Sequence, residues 1–113
     1  MKKIKVAING FGRIGRGFFR LALQTDNIQI VALNDLTDVK TLAHLLKYDS
    51  THGVLANEIS TKGNSILVDG VEVPVFSQPN PQDLPWKDME VDVVLESTGR
   101  ILKNEQALQH VIA

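Results

Sequence analysis

The apolar positions at the start of the chain change rhythm at a glycine-rich turn. Ile4-Lys5-Val6-Ala7-Ile8 is rich in branched apolar side chains and is stopped by Asn9-Gly10, which predicts a short β-strand. Beyond the glycines, Ile14, Phe18, Leu21 and Ala22 recur at helical spacing, laying one apolar stripe along a helix with Ile14 turned into the core. That helix runs out near Thr25-Asp26-Asn27, residues that favour turns. Ile28-Gln29-Ile30-Val31-Ala32-Leu33 reads as a second strand, ending at Asn34-Asp35. Strand, glycine turn, helix and strand within about thirty residues form a βαβ unit. Its right-handed crossover makes the two strands parallel.

Thr37 or Asp38 suits the cap of a second helix, with Val39, Leu42, Ala43 and Leu46 on its buried side, fading from Lys47 to Gly53. From Glu58 to Phe76 the rhythm shortens to strand-like runs, Ser65–Val68 and Val71–Val75. Asp69-Gly70 between them fits the positive-φ turn of a hairpin. Pro74 cannot donate to a ladder, which predicts an edge strand or a strand that leaves the sheet there. Ser77 to Pro85 carries three prolines and reads as a loop. Val91–Glu96 is a further strand, parallel to the first two and ending at Ser97-Thr98-Gly99. Asn104 opens a last helix with Leu108, Val111 and Ile112 on its apolar side, still amphipathic at Ala113, so the chain reads as the front piece of a longer protein. The expected class is α/β: a Rossmann-type, doubly wound, mostly parallel sheet with a small hairpin excursion. Residues 1–113 form the incomplete, N-terminal part of one such domain.

Composition narrows the function classes. The 113 residues hold twelve basic and thirteen acidic side chains, so charge points neither to nucleic acid nor to a membrane surface. No apolar run approaches the ~18 residues of a membrane helix. Met-Lys-Lys leads straight into a strand pattern rather than a signal peptide, so a cytoplasmic location is expected. There is no cysteine, and hence no disulfide, thiolate metal site or thiol nucleophile; no metal site is expected.

The turn itself, Ile8-Asn9-Gly10-Phe11-Gly12-Arg13-Ile14-Gly15-Arg16, carries the candidate chemistry. A dinucleotide pyrophosphate needs backbone N–H donors with no side chain in the way, and a helix N-terminus supplies them with a partial positive charge. In a G-x-G-x-x-G turn the first glycine bends the chain, the second admits the pyrophosphate and the third lets helix and strand pack closely. Gly10, Gly12 and Gly15 stand in that order. Ile14 contributes its backbone N–H, and Arg13 or Arg16 can lean toward phosphate. Asp35 ends the second strand about twenty positions further on, where a carboxylate accepts from ribose hydroxyls and repels a 2′-phosphate, favouring NAD over NADP. Ser97, Thr98 and Gly99 follow a parallel strand and face the cofactor, since ligands collect beyond the carboxyl ends of such strands.

"INGFGRIGR", "NDLTD", "HLLKYDSTHG" and "ESTG", in this order and spacing, resemble the N-terminal half of the glyceraldehyde-3-phosphate dehydrogenase family. The similarity runs from about Lys3 to the last residue. It implies a phosphorylating, NAD-dependent aldehyde dehydrogenase of glycolysis, normally a homotetramer, acting on a phosphosugar aldehyde and phosphate. By that resemblance Asn9, Gly10, Gly12, Arg13 and Ile14 match the pyrophosphate-binding turn. Asn34 and Asp35 match the adenosine end, and Ser97, Thr98 and Gly99 the loop near the middle of the cofactor. The Lys47–Gly53 segment matches a stretch near the adenosine side and a subunit contact. Two departures stand out. Gln78-Pro79-Asn80-Pro81 replaces a Glu-Arg-Asp-Pro run whose arginine lies near the adenine, and Arg100-Ile101-Leu102 stands where a phenylalanine is common. The family mechanism uses a cysteine thiolate and a histidine base; this chain has no cysteine, and His44, His52 and His110 lie outside the catalytic motif, so no catalytic residue is assigned. The chain alone is expected to be inactive. A paralogue such as erythrose 4-phosphate dehydrogenase and a non-catalytic NAD-binding or interaction module are the alternative readings.

Overall fold

The computed structural model describes residues 4–49, 53–79, 84–86 and 88–97. The last helix expected from Asn104 lies outside the described residues, as do Thr98, Gly99 and the Arg100–Leu102 departure. The elements are β1 (Ile4–Asn9), α1 (Arg13–Ala22), β2 (Ile28–Asn34), α2 (Val39–Lys47), β3 (Tyr48–Asp49), β4 (Gly53–Val54), β5 (Ile59–Lys62), β6 (Ser65–Val68), β7 (Val71–Phe76) and β8 (Val93–Glu96). Six strands form one sheet in the order β5-β6-β7-β2-β1-β8, while β3 and β4 pair separately. β7, β2, β1 and β8 run parallel; β5, β6 and β7 are joined antiparallel. Among the described residues no helix is long and apolar enough to cross a membrane.

Both described helices cover the same face of the sheet. Phe19 of α1 and Leu42, Ala43 and Leu46 of α2 pack with Ile8, Leu33, Ile66, Val73 and Val75. The opposite face carries Ala7 and Ala32, beneath Leu84 and Trp86. Two alanines side by side leave room for the indole, which meets Phe76 edge-on at 6.2 Å. A register shift sets this arrangement. Ile4, Lys5 and Val6 face Ile28, Gln29 and Ile30, but Ala7 faces Ala32, so Val31 is an extra residue in β2. Such a bulge inverts the alternation of a strand. It lets Ile30 and Leu33, three apart, point into the same core.

α1 is turned relative to the stripe its apolar spacing predicts: Ala22 is buried and Phe18 packs against the core as expected, but Ile14 and Leu21 do not. Gly15, Phe19, Arg20 and Ala22 are its buried residues, whereas Ile14 is 72% and Leu21 59% exposed. The expectation that Ile14 enters the core is therefore corrected. Gly15 lies so close to β1 and the turn that the helix is rotated about its axis to bring that glycine, not Ile14, against the sheet. The helix ends at Ala22 and continues as tight turns, with the Gln24 and Thr25 N–H groups donating to the Leu21 and Ala22 carbonyls.

Arg20 is the main polar anchor of this layer. Buried at 8% exposure, its Nη2 donates to the carbonyls of Leu46 at 2.7 Å, Lys47 at 3.2 Å and Gly53 at 2.8 Å. Two of these carbonyls end α2, where a cation also meets the negative end of the helix dipole. The Lys47 ammonium donates in turn to the Leu55 and Asn57 carbonyls. Where the sequence pattern fades, Tyr48–Asp49 and Gly53–Val54 form the small β3–β4 pair.

The hairpin forms as expected, with Asp69 at φ 51° and Gly70 at φ 85°. The Asp69 carboxylate accepts from the Glu58 N–H and from Asn57 Nδ2, and these bonds, the Glu58 one first, lower its pKa. β7 is interior, however, contrary to the expectation drawn from Pro74. The Val75 N–H donates to Asn64 on the β6 side. By strand alternation the Pro74 nitrogen then faces β2, and pairing to β2 begins only at Val75. The proline marks the changeover between the antiparallel and parallel neighbours, where no donor is needed.

Asp38 caps α2, accepting from the Thr41 N–H at 3.1 Å and the Thr41 hydroxyl at 2.7 Å. The hydroxyl bond, then the backbone bond, hold its pKa below the ordinary value. A depressed carboxyl contributes stability above its unfolded pKa of about 3.9 and loses it as pH falls through the lower folded value. Asp38→Asn keeps a good capping residue but removes this titration. Thermal melts of the variant are therefore expected to depend less steeply on pH below about 4 than those of the parent; equal slopes would remove Asp38 from the acid response.

Candidate functional site

The sheet order creates a crevice at one end of the strands. From β1 the chain passes to β2 on one side, and β8 pairs on the other. Ligands of open α/β sheets bind at such a switch point, outside the carboxyl ends of the strands. Here β1 ends in Asn9-Gly10, β2 in Asn34-Asp35 and β8 in Glu96-Ser97.

The three glycines of the turn have three different geometries. Gly10 has φ 92°, a left-handed conformation that lets the chain bend off β1. At Gly12 an added Cβ would meet nothing within 4 Å. At Gly15 it would lie 2.6 Å from the Gly10 carbonyl oxygen, 3.0 Å from Ile8 Cγ2 and 3.1 Å from Ser97 Oγ. One glycine bends the chain, one keeps open space, and one permits close packing. Gly12 is also the N-cap of α1 and makes no side-chain cap bond, and the first turn holds no acidic residue. The leading N–H groups of α1, with the positive end of its dipole, thus border the open side of the turn. Arg13 is exposed there, while Arg16 Nη1 donates to the Phe11 carbonyl at 3.1 Å and is turned back onto the loop.

Asp35 joins this turn to the end of β2. Its carboxylate accepts from the Phe11 N–H at 2.7 Å and the Thr37 N–H at 2.9 Å. Each carboxylate oxygen keeps a further lone pair for another donor. Asp35 also lines a cleft of about 680 Å³ with Leu36, Thr37, Phe76, Ser77 and Gln78. Lys47 and Tyr48 do not line this cleft; they border a separate groove with Lys40, His44 and Ile59, because Lys47 is drawn onto the Leu55–Asn57 backbone. Residues 50–52 of that segment lie outside the described residues.

Ser97 serves the architecture more directly than its motif suggests. Its N–H donates to the Asn9 carbonyl, and its hydroxyl donates to the Gly10 carbonyl, tying β8 to the turn. The structure therefore brings together Asn9, Gly10, Gly12, Arg13, Ile14, Asn34, Asp35 and Ser97 at one end of the sheet. Asn9 and Asn34 are buried, at 4% exposure each, and lie in register across β1 and β2. They belong to a row of hydrogen bonds that sequence reasoning missed. Glu96 accepts from Asn9 Nδ2 at 2.6 Å, Asn34 Nδ2 donates to Asn9 Oδ1 at 2.7 Å, and Gln78 meets Asn34 through its backbone N–H at 2.9 Å and carbonyl at 3.0 Å. Glu96 was visible only as a polar strand end, and Gln78 takes part through backbone atoms that leave no sequence signal.

Residues 4–104 match the family described as glyceraldehyde 3-phosphate dehydrogenase, NAD binding domain. The chain is 54% identical over 110 residues to a glyceraldehyde-3-phosphate dehydrogenase of Geobacillus stearothermophilus, covering 97% of this chain and 33% of that protein. It is 55% identical over 107 residues to glyceraldehyde-3-phosphate dehydrogenase 1 of Bacillus cereus, covering 95% and 32%. With the Thermotoga maritima enzyme of the same name the identity is 53% over 111 residues, covering 96% and 33%. The chain thus spans about a third of the length of the curated relatives it matches.

Proposed function

This chain belongs to the glyceraldehyde-3-phosphate dehydrogenase family, whose NAD-binding domain it carries, and from that premise we propose how its residues seat the cofactor. The pyrophosphate lies over Gly12, held by the uncapped N–H groups that open α1, those of Arg13 and Ile14 among them, with the Arg13 side chain adding positive charge. Gly10 bends the chain away from β1 and Asn9 supports that bend. The adenosine ribose meets Asp35, and its base enters the cleft beside Leu36 and Gln78, with Asn34 holding the cleft wall. Ser97 borders the path toward the nicotinamide; Thr98 and Gly99, outside the described residues, are assigned to the cofactor by the sequence and its family resemblance alone. The observation that carries this reading is the open space over Gly12 beside an uncapped helix start. Bound NAD supplies a hydride acceptor; the residues here bind and orient it.

The whole protein, on the same reading, is a cytoplasmic homotetramer that oxidises a phosphosugar aldehyde in the presence of phosphate. Its nucleophile, substrate sites and catalytic domain lie in the part of the enzyme beyond these 113 residues, which contain no cysteine. The chain alone contributes the cofactor seat and no turnover.

Calorimetry tests the seat. Gly12→Val puts a side chain into the open space, its Cβ meeting no protein atom within 4 Å, so NAD affinity is expected to fall at least about tenfold, with a stability loss no larger than the ~1 kcal/mol of a poorer N-cap. Equal affinity in parent and variant would place the pyrophosphate elsewhere. In the same titrations, Asp35→Ala is expected to weaken NAD binding and narrow the gap to NADP, because it removes the negative charge that repels a 2′-phosphate. An unchanged ratio of the two affinities would sink the ribose assignment.

A further inference from the structure

We propose that Glu96 is a positioning residue of the cofactor seat, setting the direction of a hydrogen-bond chain that ties the glycine turn to the wall of the adenosine cleft. The proposal rests on the NAD reading above for its ligand but on the row of bonds for its mechanism. An ionised carboxylate only accepts. Facing Glu96 at 2.6 Å, Asn9 must present its Nδ2 and turn its Oδ1 the other way. That oxygen then requires a donor, which Asn34 Nδ2 supplies at 2.7 Å. Asn34 is left with Oδ1 for the Gln78 N–H and a second amide hydrogen for the Gln78 carbonyl. One charge at β8 thus orients two buried amides in β1 and β2 and fixes the backbone of the loop after β7. Reversing either amide would set oxygen against oxygen. The chain also touches the turn, since the Asn34 carbonyl accepts from the Gly10 N–H at 2.8 Å, and Gln78 lines the cleft that holds Asp35. Glu96 does not line that cleft; among the described bonds, this row is what connects it to the cleft wall.

The test replaces the amide facing Glu96 by an acid. Asn9→Asp sets two carboxylates at hydrogen-bond distance, and one then keeps a proton well above the ordinary carboxylate range. That proton takes the place of the Asn9 Nδ2 hydrogen at acid pH, and its loss opens the row. The other charged groups at this end, among the described residues, are Asp35 and Arg16, both engaged with the Phe11 backbone, Arg13, exposed at the start of α1, and Asp38 and Lys40, which line the cleft with Gln78. In the full 113-residue chain, the Gln78 backbone amide is followed by two-dimensional NMR without ligand between about pH 5 and 8, and AMP affinity by calorimetry over the same range. In Asn9→Asp the Gln78 signal is expected to titrate, with AMP affinity falling about tenfold through the same step; the parent stays flat. Adding Glu96→Gln to Asn9→Asp restores a donor–acceptor pair and is expected to flatten the Gln78 signal and return the affinity. A Gln78 amide blind to pH in Asn9→Asp, or no rescue in the double variant, overturns the proposal. Should Asn9→Asp lose its far-UV circular dichroism, Glu96→Leu decides: a moved Gln78 signal supports the row and an unmoved one overturns it. If the parent binds neither AMP nor NAD, the cofactor reading fails, while the Gln78 titration still judges Glu96.

Discussion

Gly15→Ala is expected to destabilise the chain by about 1–3 kcal/mol, net of the ~1 kcal/mol that alanine normally gains over glycine in a helix. The new methyl would lie 2.6 Å from the Gly10 carbonyl oxygen, well inside contact distance. That oxygen cannot retreat easily. Gly10 is held in its φ 92° conformation by its own N–H bond to Asn34, and its carbonyl accepts from Ser97. The whole helix would have to lift from β1, taking Phe19 with it. Gly17 gives the internal control, since it sits in the same helix two residues on and an added Cβ there meets nothing within 4 Å. Gly17→Ala is expected to stabilise by about 0.5–1 kcal/mol through backbone entropy and helix propensity. Urea unfolding of both variants reads the difference. Stabilisation of the two alike would show that close approach at Gly15 plays no part.

Arg20→Met is the second large effect. The guanidinium is the donor for three carbonyls at the end of α2 and the start of β4, and methionine keeps much of the side-chain length while removing every donor. The Leu46 and Gly53 carbonyls lose the guanidinium and the Lys47 carbonyl keeps the Leu55 N–H; with the loss of charge-assisted bonds this is expected to cost about 2–4 kcal/mol. The loss should also be local. Hydrogen exchange at the Leu55 amide, which donates to the Lys47 carbonyl, is expected to quicken more than exchange in β1. Arg20→Lys restores the charge without the fork of donors and should recover only part of the stability. Uniform exchange across the chain, or a variant as stable as the parent, would reduce Arg20 to a filler of space.

Much of the site was legible because its chemistry is local. A turn that must bend, keep open space and pack closely needs glycine at each step, and the order Gly10, Gly12, Gly15 announces those needs without any knowledge of the fold. Asp35 at the end of a strand and the Asp69-Gly70 hairpin are similarly short-range. α1 shows the limit of that kind of reading. The spacing marks a stripe through Ile14, Phe18, Leu21 and Ala22, while the buried side runs through Gly15, Phe19 and Ala22, so the two share Ala22 but differ at Ile14 and Leu21. Periodicity cannot choose between them, because the choice belongs to the glycine that touches the sheet.

The sequence by itself determined the succession β1, α1, β2, α2, β6, β7 and β8, though not β3, β4 or β5, together with the parallel βαβ start, the glycine turn and the family. Each of these follows from neighbouring residues or from motifs in fixed order. The tertiary structure alone decided which residues stand opposite one another. Had the ladder run on unbroken, with Val31 opposite Ala7, Asn9 would face Leu33; because Val31 bulges out, Asn9 faces Asn34, and Glu96 completes the row from β8. Register is set by the packing of two whole sheet faces, Trp86 over the alanines and the helices over Ile30 and Leu33, and no short stretch of chain contains that information.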